Sequence, residues 1–497
     1  MSSTISSSKS SITSKPISRR GFNKSLLAMA LMVAGCDRSP LASSGQSGSL
    51  AADQDQLSAD QIKALTQLPT IPAGDFAVTD FGAKGDGVTD CTASIAAAIE
   101  ACANQGGGRV VVAGGTFKTG PIHLRSNIEL HVDSDAELSF VTDPKAYLPM
   151  VFTRWEGMEL LNYSPLIYAM DATNVAVTGG GVLNGNADND TWWPWKGPHK
   201  EQHWNTVAGE AQQPARNKLF EQAEQGVAVD QRRFGEGSYL RPPMVQFYQC
   251  RQVLVEDITI KDSPFWLVHP VLSEDVTVRG VTFISHGPNS DGCDPESCNR
   301  VVIENCKFDT GDDCIAIKSG RNNDGRRINV PSRNILVQDC LMLAGHGGVV
   351  IGSEISGGIN NLHVRRCEMS SPDLERAIRI KTNAARGGLI ENLNYSDINI
   401  GTVKDVIVVN YYYEEGPDGD WMPQVRNVRI SNINVKNAQR VFVLRGFPDN
   451  QLSGLSLHSV NVANADSLGV VENVQSINLH NVMVNNQSLD LKALLGS

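Results

Sequence analysis

The chain has 497 residues, 41% hydrophobic and 20% charged, values ordinary for a soluble globular protein and far from a disordered or membrane profile. Its 43 Lys and Arg against 54 Asp and Glu give a formal net charge of −11, which argues against a nucleic-acid binder and requires a local cluster of cations for any polyanionic partner. Length alone suggests two or three domains, unless the chain is a repeat architecture that grows along one axis.

The first 35 residues read as a targeting segment. Ser18-Arg19-Arg20-Gly21-Phe22-Asn23-Lys24 precedes the apolar run Leu26 to Ala34 and resembles a twin-arginine export signal. That run is too short to span a bilayer as a mature helix. Val33-Ala34-Gly35-Cys36 resembles the lipobox of bacterial lipoproteins, which implies lipidation of Cys36 after cleavage; the alternative is a plain cleaved signal with an incidental cysteine. A periplasmic or cell-surface protein is expected, touching the membrane only through that lipid. Residues 36–73, rich in Ser, Ala, Gln and Asp without an aromatic residue, predict a flexible tether. Of ten cysteines, nine remain if Cys36 is lipidated, so at least one is free or paired outside the chain.

The folded part is expected over 74–497. A helix is predicted from Cys91 to Ala103, with Ile95, Ala98, Ile99 and Cys102 at helical spacing, Asp90 as N-cap and Gly106 to Gly108 as its end. After it come short β-branched runs separated by Gly, Asn and Asp turns. From residue 250 a motif recurs, in which Asn, Asp, Arg or a similar residue precedes an aliphatic or Cys. The recurring positions are Ile258, Val281, Cys306, Cys340, Cys367, Ile398, Ile433, Val460 and Val482, each preceded by a second short strand such as Val301-Val302-Ile303. Such units cannot bury an apolar face alone and must stack, which predicts an all-β parallel β-helix over a sandwich or propeller. Residues 186–240 break the rhythm and hold Trp192, Trp193, Trp195 and Trp204; they predict an insertion with its own small core, a sugar-stacking wall, or both.

Three successive coils carry polar loops: Asn289-Ser290-Asp291-Gly292, Thr310-Gly311-Asp312-Asp313 and Gly345-His346-Gly347-Gly348. Adjacent parallel strands lie about 4.8 Å apart, so loops leaving one edge of consecutive coils bring their side chains together. The next coil adds Arg379-Ile380-Lys381, whose i, i+2 spacing puts both cations on one strand face. Alone, each has a bland explanation as a turn, a loop histidine or an exposed strand face.

Together they resemble the polygalacturonases of glycoside hydrolase family 28, whose signatures are Asn-Thr-Asp, Gly-Asp-Asp, Gly-His-Gly and Arg-Ile-Lys. The last three stand intact here and the first stands as Asn289-Ser290-Asp291. The resemblance runs from about Phe76 to the C-terminus and implies a right-handed, single-stranded β-helix with a short N-terminal capping helix. It implies inverting hydrolysis of galacturonan, with Asp312 as general acid and Asp291 and Asp313 activating water; the Trp-rich insertion, by closing one end of the groove, predicts exo rather than endo cleavage. By the same resemblance His346 keeps the acid protonated, and Arg379 and Lys381 grip a galacturonate carboxylate. Asn289, Lys318 and Tyr412 are further substrate-binding candidates, with Arg321, His286 and Glu296 as weaker ones. Glycosidic hydrolysis needs a proton donor and a second carboxylate, which such a cluster supplies. No metal or organic cofactor is expected, the partner is a pectic polysaccharide or oligogalacturonide, and a monomer is expected. Other readings are a hydrolase of rhamnogalacturonan or xylogalacturonan, a pectate-lyase-like enzyme with a calcium site, and a non-catalytic binding solenoid.

Overall fold

A computed structural model describes residues 56–495; the predicted export signal and the predicted lipidation site Cys36 lie outside the described residues. One backbone corner explains the recurring motif. Asp257, Gly280, Asn305, Asp339, Arg366, Asp397, Asn432, Ser459 and Asn481 each precede a recurring apolar position, and all have φ between 53° and 67°. That left-handed conformation turns the chain sharply between two strands, and Asn, Asp and Gly adopt it at least cost. The residue after the corner points inward: Cys306, Cys340 and Cys367 are buried, and Ile398, Ile433, Val460 and Val482 lie in register on successive coils.

The coils form a right-handed parallel β-helix. Its first face carries strands such as Asn299–Glu304 and Ser332–Gln338, its second Thr282–Ser285, Lys307–Thr310 and Leu341–Ala344, and its third Ile315–Ile317, Val349–Ile351 and Arg376–Lys381. Each strand pairs in parallel with its counterpart one coil on. Inward side chains form one continuous apolar core. The helix Thr92–Asn104 caps the first coil, burying Ile95, Ala98, Ile99 and Cys102. It starts one residue later than predicted: Cys91 is the cap residue, while Asp90 Oδ1 accepts from the backbone N–H of Thr92 at 2.9 Å.

The predicted tether does not extend to residue 73. Ser58 and Gln61 form a capping box at the start of helix Ala59–Leu65, and Ile62 is fully buried against Val302 and Leu336. Lys63 pairs with Glu304 at 2.6 Å and Asp60 with Arg365 at 2.6 Å, fastening this helix along the first face. Composition hid it because only Leu57, Ile62 and Leu65 mark so short an amphipathic pattern.

The insertion is chiefly a small core that merges with the main one. Trp192, Trp193, Trp195 and Trp204 are buried, Trp192 and Trp195 meeting edge to face at 4.9 Å and Trp193 Nε1 donating to Ser263 O at 3.0 Å. Only Trp204 lines the cleft described below, so a wall of stacked tryptophans is not what the insertion supplies.

Candidate active site

The polar loops all occur where the second face turns into the third. Strands ending at Ser285, Thr310 and Ala344 release loops 286–292, 311–314 and 345–348, and Arg376–Lys381 continues the third face on the next coil. The coils approach so closely there that side chains are excluded. A Cβ on Gly292 would lie 2.6 Å from Cys314 O, and one on Gly345, at φ +145°, 2.4 Å from Asp312 O. Carboxylate oxygens of Asp291, Asp312 and Asp313 converge within 4.8 Å of one another. They lie beneath a cleft of about 480 Å³.

The three acids differ in environment. Asp313 is fully buried; Lys381 Nζ donates to its Oδ2 at 2.6 Å and Arg379 Nη1 to its Oδ1 at 3.3 Å. Asp291 sits beside Asp294, with Lys318 Nζ at 3.6 and 3.5 Å from them. Lys318 also lies 3.3 Å from Glu354 and 4.4 Å from the centre of the Trp266 ring. Burial, then mutual repulsion, pushes the Asp291 carboxyl well above the usual carboxylate range, and burial lifts Asp294 to about 7. Asp291 Oδ1 and both Asp294 oxygens have no hydrogen-bond donor, which fits one proton shared between the two carboxyls.

Asp291 and Asp312 both line the cleft, but Asp312 is the more exposed, with 18% of its side chain accessible, and its Oδ1 lies 3.0 Å from His346 Nδ1. Burial opposes its ionisation, but the charge and hydrogen bond of His346, aided by Lys381 and Arg379, outweigh burial and hold it below the usual range. Asp312 in turn raises His346 to about 9. Both shifts favour an ion pair between the two side chains, the opposite direction to the expected role of His346 in keeping the acid protonated.

The acid cluster resembles a cation site in spacing alone. Lys381, Lys318 and Arg379 already bring positive charge to its oxygens, so a further divalent ion would meet strong repulsion.

Residues 233–482 match the family model "Glycosyl hydrolases family 28", and residues 76–139 match "Rhamnogalacturonase A/epimerase, pectate lyase-like". A hyperthermoactive exopolygalacturonase from Thermotoga maritima is 46% identical, superposes with a TM-score of 0.82, and shares 86% of this chain and 96% of its own. The chain belongs to glycosyl hydrolase family 28. An exo-poly-alpha-D-galacturonosidase of Dickeya chrysanthemi is 26% identical over 377 residues, 72% of this chain and 61% of that relative. A probable polygalacturonase of Vitis vinifera is 25% identical over 403 residues, 78% of this chain and 73% of the relative. A Yersinia enterocolitica family 28 exopolygalacturonase, 19% identical at a TM-score of 0.60, shares 84% of this chain and 79% of its own and supports the fold.

In this family 28 hydrolase the structure gathers Asp291, Asp312, Asp313, His346, Arg379, Lys381, Asn289 and Lys318 around one cleft. Tyr412 is not among them. It packs on Phe447 and Arg445, and Tyr413 faces the cleft instead, with Arg379 and Lys381 5.7 and 5.3 Å from its ring centre. Lys318 is a buried counter-ion of acids rather than a free surface cation, and Arg321 is similarly engaged by Glu156, Glu354, Glu414 and Glu415. His286 pairs with Asp309 at the rim, and Glu296 is buried with His269 and Arg154 away from the cleft. Sequence reasoning missed Asp294 and Lys196. Asp294 follows Asp291 by three residues in an irregular loop, where no periodicity reveals which side chain turns inward.

Proposed function

We propose that the protein is an exo-acting polygalacturonase that hydrolyses α-1,4-galacturonosidic bonds with inversion. The observation that carries this reading is the split within the acid cluster: Asp312 is the most exposed to the cleft, while Asp291, at the cleft wall, and Asp313, beneath it, are almost fully buried and held by cations. Asp312 donates the proton to the leaving oxygen. A uronate drawn to Arg379 and Lys381 adds negative charge beside Asp312 and excludes water, and both effects raise its pKa toward the protonated state the acid needs.

Inversion requires a carboxylate that activates water rather than attacks the sugar. Lys381 and Arg379 hold Asp313 and Lys318 holds Asp291, so neither advances easily on the anomeric carbon, whereas Asp291 lines the cleft and its Oδ1 has no hydrogen-bond donor, which leaves it an acceptor for a water. The nearest oxygens are closer than the gap of about 6.5–9.5 Å between carboxyl groups usual for inversion, which favours retention as the second reading. Proton NMR of the first-formed anomer decides between them.

Exo action is supported by the insertion, whose segment from Lys196 to Trp204 walls the cleft beside His346, Glu201 Oε2 lying 3.6 Å from His346 Nε2. The identity to the Thermotoga maritima exopolygalacturonase supports it too. Chromatography of early products from polygalacturonate, xylogalacturonan and rhamnogalacturonan tests substrate and mode together: monomer alone, released fastest from polygalacturonate, is expected. An early ladder of oligomers refutes exo action, and a faster rate on another polymer refutes the substrate. Asp312→Asn should lower the rate by about 10²–10⁴-fold with the fold intact. Export and lipidation at Cys36, with the mature chain monomeric, complete the reading; labelling with a fatty acid, lost in Cys36→Ala, tests the anchor.

A further inference from the structure

Lys196 ends the short helical turn Trp193–Lys196 and projects into the cleft. Among the described residues it is the one lysine or arginine of the cleft wall without a carboxylate within 4.0 Å. Every other has one, from Lys200 with Glu201 at 3.2 Å to Lys381 with Asp313 at 2.6 Å. Its hydrogen-bond partner is neutral: Lys196 Nζ donates to Asn289 Oδ1 at 3.1 Å. That oxygen also accepts from Arg241 Nη2 at 2.9 Å. Arg241 is fully buried and has no carboxylate partner either, its Nη1 donating to the backbone oxygens of Pro264 and Pro288. Two cations thus converge on one amide oxygen with no counter-ion.

Uncompensated buried positive charge is costly, and a bound anion relieves it. The strain shows in both groups: burial presses Arg241 down to about 9, and burial together with Arg241 lowers Lys196. The place along the helix axis is equally specific. Cys293 bridges to Ile315, Ile315 pairs with Val349, and Val350 with Arg379, so the coil bearing Asn289 precedes that of Asp312, while Arg379 and Lys381 stand two coils beyond Asp312. The two cationic pairs therefore flank the acid from opposite sides, and the far pair is already shared with Asp313.

We infer that Lys196, positioned by Asn289 and backed by Arg241, binds the carboxylate of the uronate that lies on the Asn289 side of Asp312, opposite Arg379 and Lys381. This assignment rests on the polygalacturonase reading and adds to it a second anion seat, supplied by the insertion rather than by the β-helix.

The test compares wild type, Lys196→Met and Lys196→Arg on polygalacturonate and on its methyl ester, in which the carboxylates are neutral. The wild-type preference for the charged polymer, as a ratio of kcat/KM values, should fall about tenfold or more in Lys196→Met, the value of one charge-assisted hydrogen bond, and be largely kept in Lys196→Arg. An unchanged ratio in Lys196→Met overturns the assignment, whether or not overall activity drops, because a structural role weakens both substrates alike. Should wild type cleave neither polymer, the polygalacturonase reading fails by itself. The seat is then judged by binding of galacturonate against galactose to the same three proteins, with carboxylate-dependent binding lost only in Lys196→Met supporting it and equal ratios overturning it.

Discussion

His346 Nδ1 lies 3.0 Å from Asp312 Oδ1, and its other ring nitrogen, Nε2, lies 3.6 Å from Glu201 Oε2 in the insertion. The imidazole thus joins the β-helix acid to a loop that belongs to no coil. Asp312 raises His346 to about 9 from an ordinary 6.5. A raised folded-state value contributes stability that is complete below about 6.5 and is lost as pH rises through about 9. Melting temperature should therefore fall between pH 6.5 and 9 in wild type, and this fall should be smaller in His346→Gln. A pH dependence identical in the two proteins would contradict the ion pair.

Asp294 shares its burial with Asp291 and sits at about 7. A carboxyl raised by folding contributes stability below its unfolded value of about 4 that is lost as pH climbs through about 7. Asp294→Asn removes the repulsion, so Asp291 ionises more readily, and the acid limb of the kcat/KM profile should move down by about one unit. Both pH–rate and pH–stability curves of this variant check the pair; an unmoved acid limb would mean that Asp291 is not the group titrating there.

Lys381 and Asp313 form a buried pair at 2.6 Å. Lys381→Met leaves a carboxylate in the interior with a lone guanidinium partner at 3.3 Å, and should cost about 3–5 kcal/mol of unfolding free energy. Urea denaturation at pH 7 measures the loss; an unchanged midpoint would mean that the pair contributes nothing to stability.

Gly287 lies against Trp193 so closely that an added Cβ would fall 2.1 Å from the indole Nε1. Gly287→Ala should displace the insertion from the β-helix. On the exo reading, early products then lengthen from monomer to short oligomers, visible by chromatography. Monomer alone from a variant with demonstrably altered tryptophan fluorescence would separate the insertion from the mode of cleavage.

Ile62→Asp should detach the helix Ala59–Leu65 from Val302 and Leu336, at a cost of about 2–5 kcal/mol in line with loss of a buried aliphatic side chain. Limited proteolysis near residue 65 reads out the release, with the rate on polygalacturonate kept.

The fold was legible because its corners are spelled one residue at a time: Asn305, Asp339 and Asn432 announce a left-handed turn, and the residue after each announces the core. The central site was legible because its chemistry is carried by short contiguous runs on neighbouring coils. Asp294, Arg241, Tyr413 and Lys196 were not. Their significance comes from what they face across coils or across the insertion, and a single residue position separates Tyr412, packed on Phe447, from Tyr413, which meets the cleft. The helix Ala59–Leu65 escaped because a lone turn or two gains its stability from Val302 and Leu336, hundreds of residues away, rather than from its own periodicity.

The corners that stack the coils also make the groove extensible. Because the acids, the histidine and the far cations occupy consecutive rungs of one repeating ladder, a gene that gains or loses a whole coil outside residues 286–381 keeps the reacting constellation and changes only how many sugars lie beside it. Chain-length preference can then drift independently of the bond-breaking machinery, with one duplicated rung as the unit of change.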